Sequence, residues 1–248
     1  MWPNYYKKYK MAVSVDTVYQ RVLAVLNKEQ RGYLTPEEFN LFANQVQMDI
    51  FEQYFYDINQ FGRMSGNDTE YSDMLNILNE KISVFEKSAN LDYDETATPP
   101  HYDLPADLYR LGTVIYKNSE VERVNRNEYL YINSSAITQP TNDFPIYTRD
   151  ENGLRVYAAA EVTSDSTDTN PVSINYVKEP SRVIWNYNTV LGNAQYNATG
   201  SNDFDLHESE EVELVVKILA LAGVLVRDLS LYQLAAQEDV MNVQQEKQ

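Results

Sequence analysis

A clearly marked helix start at residue 35 constrains the fold of this chain more than any other segment. Thr35 fits the N-cap position, Pro36 the first helical turn and Glu38 the reciprocal position of a capping box. The apolar periodicity that follows predicts one long helix from there to about Phe61.

This predicted helix has two apolar faces. The first comprises Phe39, Phe42, Ala43, Val46, Ile50 and Tyr54. The second comprises Leu41, Met48, Phe51, Phe55 and Ile58. Because a surface helix usually buries a single stripe, we expect one face to pack inside the subunit and the other to meet a partner. The candidate inter-subunit contacts on the second face are Leu41, Met48, Phe51 and Phe55.

Helical periodicity also marks three other segments. Residues 15–26 and 71–85 each carry apolar side chains at the spacing of one helix face. The last helix is predicted to start at 209–211, where two glutamates suit the positive end of the helix dipole. Residues 214–226, LVVKILALAGVLV, are apolar nearly all round, so we expect this helix in the middle of a bundle. At 13 residues with one lysine, the run falls short of the roughly 20 that a membrane span needs.

A different pattern occupies the middle of the chain. Residues 88–106 hold several acids and Pro99-Pro100, which predicts a loop and the main domain boundary. Five short segments beyond it have β-type composition: 111–116, 144–148, 154–158, 172–177 and 183–187. The dipeptide Asn152-Gly153 is typical of a two-residue hairpin turn. Residues 125–135 suit a strand or a short helix capped by Asn125, and we favour the helix.

Together these patterns predict an α+β fold. Three N-terminal helices and a long C-terminal helix are expected to form a helical bundle that carries a β-rich insertion. The predicted organisation is a basic aromatic arm at 1–11, the first part of the bundle at 12–88, a linker and β-rich insertion at 89–206, a C-terminal core helix completing the bundle at 207–236 and a polar tail at 237–248.

The composition favours surface contacts over catalysis. Twenty tyrosines suit protein interfaces, and 37 acidic against 20 basic residues give a net charge of −17 that repels free nucleic acid. The absence of cysteine excludes disulfides, thiolate zinc sites and a cysteine nucleophile. His101 and His207 stand far apart, and no nucleotide-binding or hydrolase motif is present. We therefore expect no enzyme activity, no metal and no cofactor.

The first ten residues form a basic aromatic arm. Its aromatic and basic side chains, which no acid interrupts, are Trp2, Tyr5, Tyr6, Lys7, Lys8, Tyr9 and Lys10. Such an arm can stack on nucleic acid or lie on an acidic neighbour. Because the rest of the chain is strongly acidic, we favour the second interpretation and count these residues among the candidate contacts. The arm lacks an apolar core segment, so we expect no secretory signal and a protein that stays in the cell that makes it.

An alternative function comes from residues 27–39, NKEQRGYLTPEEF. The segment matches a calcium-binding EF-hand loop at Gly32, Leu34 and Glu38. However, Arg31 stands at loop position five, where an oxygen ligand is required. Since the capping box explains the same residues, an EF-hand-like calcium-binding protein is the weaker hypothesis.

Two stretches of the chain resemble structural proteins of tailed bacteriophages. They are residues 127–147, NEYLYINSSAITQPTNDFPIY, with the later YVKEP at 176–180, and residues 205–228, DLHESEEVELVVKILALAGVLVRD. The resemblance covers most of residues 12–248. It is greatest to the ring or tail-adaptor proteins that join portal to tail in short-tailed and crAss-like phages.

This resemblance implies a non-enzymatic protomer of a homo-oligomeric ring, with twelve copies continuing the portal channel. Its partners would be the portal protein and adjacent tail or ring proteins, and double-stranded DNA would pass without sequence-specific binding. An acidic channel lining suits that role because it repels phosphate. The polar tail at 237–248 would reach an adjoining ring or the portal. We expect a virion location after assembly in the host cytoplasm, and another virion component, such as a minor capsid or tail-hub protein, is the alternative.

Overall fold

The computed structural model describes residues 12–28, 33–61, 69–151, 153–159, 162–163 and 171–225. The chain divides into two compact units. The first unit takes the chain up to Val84 and from Pro180 onwards. The second unit is the continuous segment Phe85–Glu179.

The described residues contain five helices and ten strands. The helices are α1 (Val15–Lys28), α2 (Pro36–Phe61), α3 (Thr69–Ser83), α4 (Arg126–Asn133) and α5 (Glu211–Leu225). The strands are β1 (Glu86–Asn90), β2 (Tyr93–Asp94), β3 (His101–Asp103), β4 (Leu108–Tyr116), β5 (Ser119–Arg123), β6 (Ile146–Arg149), β7 (Gly153–Tyr157), β8 (Val172–Lys178), β9 (Tyr187–Val190) and β10 (Asn193–Tyr196). None of these described helices has both the length and the apolar content needed to cross a membrane.

Eight strands of the second unit form one curled, mixed sheet. Their order is β1-β8-β4-β5-β6-β7-β3-β2. Strands β5 and β6 run parallel, with Glu122 opposite Ile146, whereas the other neighbours in the sheet are antiparallel. The main core of this unit includes Leu91, Tyr102, Val114, Val121, Leu154, Val156, Val172 and Ile174. A smaller cluster of Val124, Ile146 and Tyr157 packs against Tyr129 and Ile132 of α4.

The predicted fold class, a helical bundle with a β-rich insertion, was wrong. The described chain is β-rich, and its eight-stranded sheet has a core of its own. Residues 88–106, predicted as a loop, contain the end of β1 and all of β2 and β3. Strand β1, EKSAN, lies at an edge of the sheet with mostly exposed side chains. Because an edge strand is held by backbone hydrogen bonds, its sequence needs no apolar alternation and gave no strand pattern.

Within the described residues, the positions of the predicted helices were confirmed, and those of the predicted strands mostly so. Helix α2 spans the predicted residues from Pro36 to Phe61, and residues 125–135 contain the helix α4. Four of the five predicted strands overlap β4, β6, β7 and β8. In the fifth, 183–187, Ile184 forms an isolated bridge with Asn202, and β9 begins only at the last residue of the segment.

Strands β6 and β7 pair as an antiparallel hairpin, but Asn152 of the predicted turn lies outside the described residues, and Gly153 has a different role. Gly153 is already the first residue of β7, and its carbonyl oxygen accepts a hydrogen bond from the Asp150 N–H at 2.9 Å. A side chain at Gly153 would overlap the carbonyl oxygen of Tyr102 and the ring of His101 on β3. The glycine therefore permits the close approach of β3 and β7.

The capping box at the start of α2 is formed as predicted. The Thr35 N–H and hydroxyl donate to Glu38 Oε2 at 2.9 and 2.7 Å, and the Glu38 N–H donates to Thr35 Oγ1 at 3.3 Å. These bonds satisfy backbone groups that the first helical turn leaves without partners. The hydrogen bonds from Thr35 also hold the pKa of the Glu38 carboxyl below its ordinary value.

Side-chain amides of α2 bind the extended segment 181–185 in the first unit. Asn44 donates to the Val183 carbonyl at 2.8 Å and accepts from the Val183 N–H at 2.9 Å. Asn40 makes the same pair of bonds with Trp185, at 3.2 and 2.7 Å. The spacing of the two asparagines along α2 matches that of Val183 and Trp185 along the segment, because four helical residues rise about 6 Å and two extended residues about 6.6 Å. We call Asn40, Asn44 and their bonds to segment 181–185 the amide ladder.

Further contacts fix both ends of the amide ladder. Gln47 donates to the Ser181 carbonyl at 2.9 Å and accepts from the Asp205 N–H at 3.0 Å. At the other end, the buried indole of Trp185 packs on Tyr19, with ring centroids 4.5 Å apart. Its Nε1 donates to Asp16 Oδ1 at 3.0 Å. The amide ladder is therefore continuous with the aromatic core of the first unit.

We predict that Asn44→Ala lowers the free energy of unfolding by about 2–4 kcal/mol, because it leaves the N–H and carbonyl of Val183 without partners. The matched control is Gln45→Ala on the next, exposed residue of α2, which should cost less than about 0.5 kcal/mol. Urea unfolding of the two variants measures the difference. Equal costs would show that the amide ladder does not hold segment 181–185 in place.

Candidate functional site

The predicted contact face of α2 is partly exposed and partly buried. Leu41 is largely exposed, and Met48 and Phe55 are half-buried. Phe51 is fully buried and packs edge-to-face on Phe55, with ring centroids 5.1 Å apart. Leu41, Met48 and Phe55 recur every seven residues, so they lie on one side of the helix. We call these three residues the α2 stripe.

The other predicted contacts lie outside the described residues. They are the arm residues Trp2, Tyr5, Tyr6, Lys7, Lys8, Tyr9 and Lys10. The predicted tail at 237–248 and the end of the predicted C-terminal helix, beyond Leu225, also lie outside them.

In the described part of the proposed calcium loop, the expected ligand Glu38 is engaged elsewhere. Glu38 would be the last EF-hand ligand, but its Oε2 accepts both capping bonds from Thr35. Arg31 and Gly32 lie outside the described residues. Across the part of the chain that the structure describes, no group of three or more histidine, aspartate or glutamate side chains is placed to hold a metal ion.

The two histidines make separate local contacts. In the second unit, His101 is buried, with its Nδ1 3.0 Å from the Pro99 carbonyl oxygen and its Nε2 3.2 Å from Asp103 Oδ1. In the first unit, His207 precedes the short 3-10 helix Glu208–Glu210, and its Nδ1 accepts from the Ser209 N–H at 3.3 Å. Each histidine thus makes its contacts within its own local segment of the chain.

A groove of about 990 Å³ opens on the second unit, beside α4. Its walls are α4, the following segment 134–145 and strands β4, β5 and β6. The volume lies at the upper end of the roughly 300–1,000 Å³ found for sites of drug-sized ligands. The groove therefore has room for several side chains of a peptide. We call it the α4 groove.

Hydrogen bonds fix the segment that forms one wall of the α4 groove. The Thr138 hydroxyl donates to the Ile132 carbonyl at 2.9 Å, and the Gln139 amide donates to the Asn133 carbonyl at 3.3 Å. These carbonyls belong to the last turn of α4, where no further helical N–H is present to bind them. At the other end, the Glu122 N–H of β5 donates to the Pro145 carbonyl at 3.0 Å. The wall is thus attached to both α4 and the sheet.

The lining of the α4 groove combines apolar and acidic side chains. Ile137 and Phe144 line it and are among the most exposed large apolar residues that the structure describes. Three exposed glutamates also line it: Glu120 and Glu122 on β5 and Glu128 on α4. A partner with apolar and basic groups would complement such a surface.

The sequence patterns did not reveal the α4 groove. They indicated its framework, a helix at 125–135 and a strand at 144–148, but not that these elements enclose a groove. Ile137 and Phe144 stand in the segment SSAITQPTNDFP, where turn-forming residues predominate. Two large apolar residues in so polar a loop were the available indication, since a loop on the surface leaves them exposed.

A cluster of charges joins three elements at the start of α5 in the first unit. Lys81 of α3 lies 2.7 Å from Glu210 Oε1, and Arg21 of α1 lies 3.0 Å from Glu211 Oε1. The Arg21 pair is an ion contact without aligned hydrogen-bond geometry. Lys217 and Glu213, one turn apart on α5, are 2.9 Å from each other. The acids lie at the positive end of the helix dipole, as predicted.

Burial and the lysines shift the pKa values of Glu210 and Glu213 in opposite directions. Burial tends to raise the pKa of Glu210, but Lys81, together with hydrogen bonds to Glu213 and Ser209, holds that pKa below its ordinary value. For Glu213, burial dominates and raises the pKa above 4.5, although Lys217 acts against it. The cluster is thus a network that fastens α5 to α1 and α3.

No protein-family model matches this sequence, and no curated protein shows detectable similarity to it.

We predict that Lys81→Met costs about 3 kcal/mol of unfolding free energy at pH 7, because it leaves the buried Glu210 charge unpaired. The matched control, Arg21→Met, breaks a pair whose arginine is 52% exposed and should cost less than about 1 kcal/mol. Urea unfolding gives both values. Similar costs would mean that Lys81 does not stabilise a buried charge.

The stability cost of Lys81→Met is expected to depend on pH. Since the folded pKa of Glu210 is lowered, its stabilising contribution is fully present above the unfolded value of 4.5. This contribution is lost as the pH falls through the folded pKa. The stability difference between wild type and Lys81→Met should therefore shrink below pH 4.5. A difference that stays constant with pH would contradict the assignment.

Proposed function

We propose that this chain is a non-enzymatic structural protein of a virion, one protomer of a ring in the head-to-tail connector of a tailed bacteriophage. The observation that carries the proposal is the α2 stripe, in which Leu41 is exposed and Met48 and Phe55 are half-buried. The resemblance of residues 127–147 and 205–228 to phage ring and tail-adaptor proteins supports it.

The α2 stripe has the features of a subunit contact. The opposite side of α2, with Ala43, Val46 and Ile50, is buried in the first unit. A single exposed apolar residue is ordinary, but an exposed leucine in line with two half-buried apolar residues on one side of a helix suits a partner surface. In a closed ring each protomer uses two different surfaces, and the α2 stripe would be one of them.

The charge of the chain suits a path for DNA. A net charge of −17 gives a surface that repels phosphate, so double-stranded DNA can slide past it without sequence-specific binding. In this proposal the portal lies on one side of the ring and tail or further ring proteins on the other. The ring of twelve copies and the virion location follow from the resemblance.

The test is the assembly state of the chain with and without its portal, measured by native mass spectrometry. We predict that Leu41→Asp, at a side chain 66% exposed, weakens ring assembly about tenfold or more. Leu191→Asp is the control, because Leu191 is 98% exposed and lies in the turn between β9 and β10 rather than on α2. It should leave assembly unchanged.

Two results would contradict the proposal. A wild-type chain that stays monomeric in the presence of portal would exclude a connector ring. Equal effects of Leu41→Asp and Leu191→Asp would show that the α2 stripe is not part of the interface. A virion map that places the chain in the capsid or the tail hub would instead establish the alternative within the same class.

A further inference from the structure

The α4 groove presents acidic groups that form no ion pairs with the residues that the structure describes. Glu120, Glu122 and Glu128 are exposed, and none of the three makes an ion pair within the described part of the chain. Arg123 contributes one positive charge to the lining. The groove therefore has a net negative lining that can accept a basic ligand.

Apolar surface lies beside these charges. Ile137 and Phe144 project from the wall segment, and Ile132 lies half-buried on α4. Because hydrogen bonds hold the wall segment on α4 and β5, little ordering is needed when a ligand binds. A ligand that fits this surface needs large flat apolar groups and positive charges close together.

One segment of the chain itself has this composition. Residues 1–10, MWPNYYKKYK, carry one tryptophan, three tyrosines, three lysines and no acid. We infer that the α4 groove is the receptor for residues 1–10 of a second copy of the chain. Tyrosine and tryptophan provide broad contact area at low entropic cost, and the lysines face the glutamates.

Other occupants match the groove less well. The predicted tail at 237–248 contains Glu238, Asp239 and Glu246 against a single lysine, so it would be repelled by the glutamates. Nucleic acid would be repelled for the same reason. Only the assignment of the arm to a second copy, and not its fit to the groove, rests on the proposed ring.

Because this sequence contains no cysteine, introduced cysteines allow a direct test in the chain. Asn4→Cys leaves every aromatic and basic residue of the arm in place, and Ile137→Cys puts a thiol in the groove. The matched control combines Asn4→Cys with Leu191→Cys on the first unit, since Ile137 is 95% and Leu191 98% exposed. Circular dichroism checks that the variants fold.

We predict that mild oxidation gives about tenfold more disulfide-linked dimer with Ile137→Cys than with Leu191→Cys, because docking raises the local thiol concentration. Equal dimer yields, or a disulfide formed only within one chain, would overturn the inference. A preferential dimer in a protein that never forms rings would leave the arm contact standing while the proposed function fails. If rings form without a preferential dimer, the arm contact is excluded while the proposed function stands.

A charge exchange tests the electrostatic part of the contact. In the Asn4→Cys, Ile137→Cys chain, Glu120→Lys with Glu122→Lys should lower the dimer yield about fivefold at low salt. Adding Lys7→Glu with Lys8→Glu should restore it, and the loss should diminish at high salt. A loss that the arm substitutions do not restore would exclude pairing between these lysines and glutamates.

Discussion

The amide ladder is the interaction on which the first unit depends. The chain leaves this unit at Val84 and returns at Pro180, so the unit is closed only when the returning segment is bound. Segment 181–185 has two sets of backbone groups, one along each side. Asn40 and Asn44 satisfy one set, and Asn202 pairs with Ile184 on the other. Because an extended segment on a helix lacks a strand as neighbour on that side, side-chain amides must supply the bonds that a sheet would otherwise give.

Local interactions made part of this fold predictable from sequence. The start of α2 is determined by side chains within four residues, so Thr35 and Glu38 identified it and the apolar spacing gave its length. The sheet was underestimated because its edges depend on pairing across distance. Strand β1 is polar and is held by β8, which lies more than 80 residues further along the chain. Contacts of this kind leave no pattern in either segment alone.

The candidate surfaces, like the fold, were predictable only where local spacing along the chain determines them. Leu41, Met48 and Phe55 were recognised because a regular helix converts spacing into a common side. Their burial was not predictable in the same way, since Phe51, from the same apolar set, is fully enclosed. The α4 groove escaped prediction because it depends on irregular backbone. Its wall is fixed by Thr138 and Gln139 binding the end of α4, and those bonds follow from three-dimensional position rather than periodicity.

The pairing of β1 with β8 has a consequence for how this chain can change over evolution. Glu86 lies opposite Val177, and the Lys178 N–H donates to the Phe85 carbonyl at 2.8 Å. The second unit therefore begins and finishes at adjacent backbone positions, about 5 Å apart in a paired ladder. A segment whose two ends meet in this way can be lengthened, exchanged or deleted while the residues on either side keep their spacing. The eight-stranded sheet thus occupies one continuous segment of the sequence, between the two parts of the chain that form the first unit.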